Sequence, residues 1–173
     1  MGLIHIYCGN GKGKTTAALG LAMRASGAGM KVHIVQLIKG GNTSELESIE
    51  RLSNITVARP QKNYGFTRSM SEADKSEITV CHNEMLFAAY EKMRGGEIDM
   101  LIIDEFFAGY NNDLVNKNLA EKIVFEKPEN CELVLTGRNP SEKFIAAADY
   151  VSEIIAVKHP YEKGIPARKG IEF

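Results

Sequence analysis

The sequence predicts an α/β fold in which a mostly parallel sheet is flanked by helices. Three observations carry this expectation. Near the N-terminus a short apolar run, Leu3-Ile4-His5-Ile6-Tyr7, leads through Cys8-Gly9-Asn10-Gly11-Lys12-Gly13-Lys14-Thr15-Thr16 into Ala17-Ala18-Leu19-Gly20-Leu21-Ala22-Met23-Arg24. This reads as strand, glycine-rich turn and helix, with Gly-Lys-Thr at the helix start. Further along, Asp99-Met100-Leu101-Ile102-Ile103-Asp104-Glu105 is an apolar strand closed by adjacent carboxylates. Around these two stretches, apolar runs of strand length alternate with helical periodicities, the pattern of a sheet covered by helices.

The first stretch has the residue types of a P-loop. Glycine lets the backbone take positive φ and approach phosphate oxygens without a Cβ in the way. The amides of Gly9, Asn10, Gly11, Lys12, Gly13, Lys14, Thr15 and Thr16 then form a nest at a helix N-terminus. Lys14 supplies a formal charge, Lys12 a second one, and the Thr15 hydroxyl is placed to ligate Mg²⁺. The usual first glycine of the motif is Cys8 here. That thiol reads as a small filler, the alternative being a cysteine activated by the helix end and lysines. A chance glycine-rich turn is disfavoured by the flanking strand and helix.

After the first helix, Gly27 and Gly29 are a stop signal, and Lys31–Ile38 is a second strand, apolar enough to be covered on both faces. Lys39 follows it at the sheet edge where ligands bind, placed to meet an anion or simply solvated. Ser44-Glu45-Leu46-Glu47 resembles a capping box opening a helix to about Leu52, and Ile55–Ala58 is a short strand. The loop from Arg59 to Arg68 carries Tyr64 and Phe66 and is long enough to be functional. Ser71 to Met93 is one long helix with Ser71 as cap; Ile78, Cys81, Met85 and Ala88 are its expected apolar face, and His82 is a surface or internally satisfied histidine. Gly95-Gly96 ends it. The strand ending at Asp104-Glu105 resembles a Walker B element: one carboxylate holds Mg²⁺ directly or through water, and the next residue meets substrate or metal. A helix from Leu114 to Phe125, a strand Glu132–Thr136, a helix from Ser141 through Ala148 and a last strand Tyr150–Val157 complete the alternation, and the tail from Lys158 reads as loop. Arg138, just past a strand end, is a further candidate for phosphate.

Composition excludes several classes. The 173 residues fit one domain, residues 1–173, with a formal net charge of -1 and interspersed signs. No basic stripe suggests nucleic acid, and no apolar run is long enough to span a membrane. The N-terminus enters the first strand directly, so no signal peptide is expected. Cys8, Cys81 and Cys131 have no metal-ligand spacing and read as reduced thiols of a cytoplasmic protein.

Several stretches together resemble one family. Gly9 to Ala18, Val35-Gln36-Leu37-Ile38-Lys39-Gly40, Gly65-Phe66-Thr67, Asp104-Glu105, Thr136-Gly137-Arg138 and Val157-Lys158-His159 look like the P-loop type of ATP:corrinoid (cob(I)alamin) adenosyltransferase, over essentially the whole chain. The resemblance implies a RecA-like nucleotide-binding fold, usually a homodimer. It implies transfer of the 5′-deoxyadenosyl group of ATP to Co(I) of a corrinoid, with release of triphosphate. Lys14, Thr15 and Glu105 are then the catalytic residues. Gly9 to Thr16, Lys39 and Arg138 bind ATP, and Thr15, Asp104 and Glu105 hold Mg²⁺ or Mn²⁺. Phe66, Arg68 and Tyr64 are expected at the corrinoid, and a reductase is an expected partner. Arg68 stands where the family pattern has tryptophan, which implies either a preference for corrinoids whose lower base is absent or detached, or another aromatic such as Tyr64 in the tryptophan's place. Relatives often carry an N-terminal extension over the corrinoid, so the site is expected to be more open here or to be closed by a partner subunit or the C-terminal tail. Two other readings use the same motifs. One is a P-loop ATPase or kinase that cleaves the β–γ bond with Glu105 positioning water; the other is a carrier that binds ATP and corrinoid without chemistry.

Overall fold

Six strands alternate with helices along the chain: β1 (Ile4–Cys8), α1 (Lys14–Gly27), β2 (Val32–Gln36), α2 (Ser44–Ile49), β3 (Ile55–Ala58), α3 (Glu72–Arg94), β4 (Met100–Asp104), α4 (Phe106–Asn111), α5 (Lys117–Phe125), β5 (Glu132–Thr136), α6 (Glu142–Ala147) and β6 (Tyr150–Glu153). A 3₁₀ turn follows at Pro160–Lys163. The computed structural model describes residues 1–41, 43–65 and 69–172. The strands pair in the order β3-β2-β4-β5-β1-β6 and every pairing is parallel. The expected sheet is therefore present, and wholly parallel. β5 lies between the P-loop strand β1 and the carboxylate strand β4, as a RecA-like arrangement requires.

The neighbouring interior strands β2 and β4 are buried along their whole length, which is why they read as largely apolar runs. One face of the sheet packs Val35, Leu101, Ile103, Leu133 and Leu135 against Leu86, Ala89 and Met93 of α3 and the phenylalanines of α4. The other face sets Ile34, Ile102 and Val134 against Ala18, Ala22 and Ala25 of α1. Small side chains there let α1 lie close to the sheet, which fixes the P-loop relative to β4.

The structure corrects several boundaries. Residues 106–111 form a helix too short to show a readable period, with Phe106, Phe107 and Tyr110 all buried. The helix expected from Leu114 begins at Lys117, capped by Asn116, whose side chain accepts from Leu119 N at 3.1 Å. The helix expected to be capped by Ser44 takes Ser44 as its first residue, with Thr43 in the cap position, and it ends at Ile49. β6 ends at Glu153 because the chain then turns under the P-loop, where Ile154 N donates to Cys8 O and Gly11 N to Ile154 O. The buried stripe of α3 is Ile78, His82, Leu86, Ala89 and Met93, one step round the helix from the expected face. Ser71 does cap α3, accepting from Asp74 N at 3.1 Å. No described helix is long and apolar enough to cross a membrane.

His33 of β2 is buried with Nδ1 2.7 Å from the Thr56 hydroxyl. Burial, with Lys92 nearby, lowers its pKa from 6.5 to about 4. Between these values the unfolded chain binds more protons than the folded one, so stability rises with pH there and falls on acidification. The His33 contribution lost from neutral pH to pH 4 is about 3 kcal/mol. Denaturant melts across this range should show a shallower pH slope for His33→Gln than for the native chain.

Candidate functional site

The P-loop crosses the carboxyl edge of β1 with each glycine under a different constraint. A Cβ on Gly9 (φ +102°) would lie 2.4 Å from Ile154 O, and one on Gly11 would lie 2.8 Å from the same atom. These two glycines let the loop rest on the chain after β6. Gly13 has φ +120° and nothing within 4 Å of its Cβ position, so its constraint is conformational, on a surface that faces open space. α1 starts at the next residue. Lys14 is buried at its base, with Nζ donating to Gly11 O at 2.8 Å. Burial pushes the Lys14 pKa down, while the carboxylates of Glu105 and Asp104 act to keep the proton on it.

Asp104 is the hub of the edge. It is buried at the end of β4 and accepts from the Thr15 hydroxyl at 2.9 and 3.1 Å. It also accepts from Lys39 Nζ at 2.6 Å and from the Thr136 hydroxyl at 2.6 Å. Lys39 Nζ donates in addition to Thr15 Oγ1 at 2.9 Å. Glu105 then reverses the chain with φ +59°, its N–H donating to Thr136 Oγ1 at 2.9 Å. Burial, then the Asp104 charge, raises the Glu105 pKa, opposed by Lys39, Lys14 and Arg138.

These groups suit a hard divalent cation. The donors are a hydroxyl and two carboxylates, all oxygen. The Lys39 ammonium bridges Thr15 and Asp104 and shows that a positive charge is favourable between them. Gln36, in register with Asp104 across β2 and β4, is buried, and among the described residues its Oε1 has no hydrogen-bond partner, a spare acceptor beside the carboxylate. Among the described residues no three His, Cys, Asp or Glu side chains cluster as a ready-made metal cage. An ion here would complete its shell with ligand oxygens and water.

Above the hub lies a cleft of about 640 Å³. Asn10 through Thr16, Lys39, Glu105 and Arg138 all line it, as expected from the sequence. Gly9 and Asp104 are not among its lining residues, and Asp104 meets it through Thr15 and Lys39, which are. Tyr64 lies elsewhere, against Met70, Ile78 and Leu114. Phe66 and Arg68 fall outside the described residues.

Sequence reasoning missed the role of Thr136, which ties β5 to both carboxylate residues. A hydroxyl closing the apolar run of β5 was the available signal. Sequence reasoning offered the tail only as a cover for the corrinoid, whereas Gly170, Ile171 and Glu172 line the cleft beside the P-loop, as does His159. Glu172 accepts from Lys12 Nζ at 2.9 Å and pairs with Arg168 at 3.1 Å. Arg168 and Lys12 together lower the Glu172 pKa to about 2. The tail thus holds Lys12 at the mouth of the cradle.

Comparison with known proteins gives a consistent result. The profile of the family described as "ATP:corrinoid adenosyltransferase BtuR/CobO/CobP" matches residues 1–173. A corrinoid adenosyltransferase of Sinorhizobium sp. is 35% identical over 176 residues, covering 99% of this chain and 80% of that protein. One from Escherichia coli K12 is 33% identical over 99% of this chain and 86% of its own length, and one from Pseudomonas aeruginosa 31% identical over 99% and 84%.

Proposed function

The chain belongs to the ATP:corrinoid adenosyltransferase family BtuR/CobO/CobP, and from that premise we propose how its residues share the work of adenosyl transfer. The enzyme moves the 5′-deoxyadenosyl group of ATP to the cobalt of a corrinoid. In the proposed reaction Co(I) attacks C5′ of ATP and the C5′–O bond breaks, so the electron pair leaves with triphosphate. The nucleophile needs little activation. The protein's task is to hold a polyanion whose charge grows during the step and to leave C5′ accessible.

The observation that carries this division is the convergence of the P-loop amides, Lys14, Lys39 and Arg138 on one cleft, above a hub of Thr15 and Asp104. Amides of residues 9–16 and the Lys14 ammonium receive the phosphates. Lys12 and Arg138 close on them from the rim, Lys12 after releasing Glu172. Thr15, Asp104 and Glu105 are the residues to hold Mg²⁺, which when bound would neutralise charge on the departing triphosphate. Thr136 keeps Asp104 and the Glu105 backbone in place.

The corrinoid side rests on the loop through Tyr64, Phe66 and Arg68. The described part of that loop supports its nearness to the cleft. A Cβ on Gly40 would lie 2.0 Å from Lys62 O, and Arg59 donates to Lys39 O at 3.0 Å. The loop base is therefore packed against the turn that bears Lys39. A homodimer, a reductase that supplies Co(I), and work in the cytoplasm complete the proposal; the three free cysteines agree with the last.

Product analysis tests the reading. Anaerobic incubation with ATP, Mg²⁺ and chemically reduced corrinoid should yield alkylated corrinoid and triphosphate in equal amounts. ADP with an untouched corrinoid would instead establish β–γ cleavage, and binding of both ligands without either product would establish a carrier.

A further inference from the structure

We propose that His82 is a positioning residue for Lys39: through Ile38 it holds the turn that delivers the Lys39 ammonium to Thr15 and Asp104. The proposal rests on the reading above that Lys39 works in the phosphate cleft.

His82 stands in the buried stripe of α3, one polar side chain among Ile78, Leu86, Ala89 and Met93. Both ring nitrogens are committed. Nδ1 lies 2.9 Å from Leu114 O, and Nε2 lies 3.0 Å from Ile38 N. A carbonyl only accepts and an amide N–H only donates, so Nδ1 carries the proton and Nε2 presents its lone pair to Ile38. The ring is neutral, and burial, which lowers its pKa, keeps it so.

The backbone it meets is unusual. Ile38 has φ +67°, and Lys39 N donates to Leu37 O at 2.7 Å. A bond from residue i+2 to residue i around a positive φ is the rarer, strained hand of γ-turn, and a β-branched residue adopts it only under constraint. The turn reverses the chain just past β2 and places Lys39 Nζ 2.6 Å from Asp104 and 2.9 Å from Thr15. An extended Ile38 would carry Lys39 away from the edge.

Two groups hold the turn. Arg59 reaches the Lys39 and Gly41 carbonyls on the outer side. His82 takes the Ile38 N–H from within, on a helix of 23 residues whose packing against the sheet makes it a firm anchor. A hydrophobic residue at 82 would fill the volume but leave a buried N–H and a buried carbonyl without partners, favouring release of the turn. Glutamine can offer an acceptor near the position of Nε2; asparagine reaches only to the region of Nδ1.

The test compares His82→Leu, His82→Gln, His82→Asn, Lys39→Ala and the double variant His82→Leu/Lys39→Ala. Each is assayed for kcat and KM toward ATP in the anaerobic transfer reaction, with a thermal melt alongside. Lys39→Ala should lower kcat/KM about 10²-fold. His82→Leu should lower it about tenfold, His82→Gln should recover most of that loss, and the double variant should be no worse than Lys39→Ala alone. An active Lys39→Ala would defeat the reading of Lys39 itself. An impaired Lys39→Ala beside a fully active His82→Leu would defeat only the role of His82, as would losses that multiply in the double variant. Should His82→Leu fail to fold, the amide pair decides: Gln active with Asn impaired supports the role, and equal activities overturn it.

Discussion

Lys14→Ala lowers the rate of adenosyl transfer by about 10²- to 10³-fold, the usual cost of deleting one preorganised group that meets developing negative charge. Lys14 has no other evident task. Its Nζ is fixed by Gly11 O at 2.8 Å inside the loop proposed to receive the phosphates. Burial disfavours its charge, and Glu105 and Asp104 act to keep it. Such a cation needs no rearrangement when the leaving group gathers charge. Lys14→Arg should not rescue it, because a branched planar head does not fit where the ammonium is enclosed. Single-turnover formation of the alkylated corrinoid measures the effect, with a melting curve to separate chemistry from folding. Near-native turnover in Lys14→Ala would refute the assigned role.

The parts of this site that were legible in the sequence are those whose chemistry is local. Gly13-Lys14-Thr15 must be contiguous because one turn supplies the amides, the ammonium and the hydroxyl. Asp104-Glu105 had to follow an apolar run because carboxylates at a strand end reach the edge where ligands bind. Lys39 and Arg138 were legible for the same reason, each lying just beyond a strand. The rest depends on register and packing. Thr136 matters only because β5 pairs beside β4, which no local pattern reveals. The tail reaches Lys12 through Glu172, an ion pair between residues 160 positions apart and without hydrophobic periodicity. On α3 the apolar count favoured Cys81, Met85 and Ala88, yet Ala88 is exposed and His82 is buried. Two backbone groups, Ile38 N–H and Leu114 C=O, offset the cost of burying an imidazole, and neither is visible along the helix itself. The fold was easier to read than the site because alternation of strands and helices is repeated many times, whereas each of these contacts occurs once.

Asp104→Asn should be as damaging to turnover as loss of Lys14, and it should leave a thermodynamic signature that Lys14→Ala does not. The carboxylate accepts from Thr15, Lys39 and Thr136 simultaneously and is almost fully enclosed. An amide of the same shape keeps one acceptor but presents N–H groups to hydroxyl and ammonium donors, so at least one buried contact becomes repulsive or empty. Lys39 is partly exposed and can swing into solvent, which limits the loss in the free protein to about 1–3 kcal/mol. The larger consequence lies in ligand linkage. ATP should raise the melting temperature of the native enzyme by mass action, and Mg²⁺ should enlarge that rise if Thr15 and Asp104 bind the ion together with the phosphates. In Asp104→Asn the ATP effect should persist through the P-loop while its Mg²⁺ increment disappears. An increment that survives would make Asp104 only the anchor of Lys39 and Thr136, and would leave the ion to Thr15 and Glu105. The variant therefore separates two tasks that the geometry superimposes on one carboxylate, holding the Lys39 ammonium and holding a cation that arrives with the nucleotide.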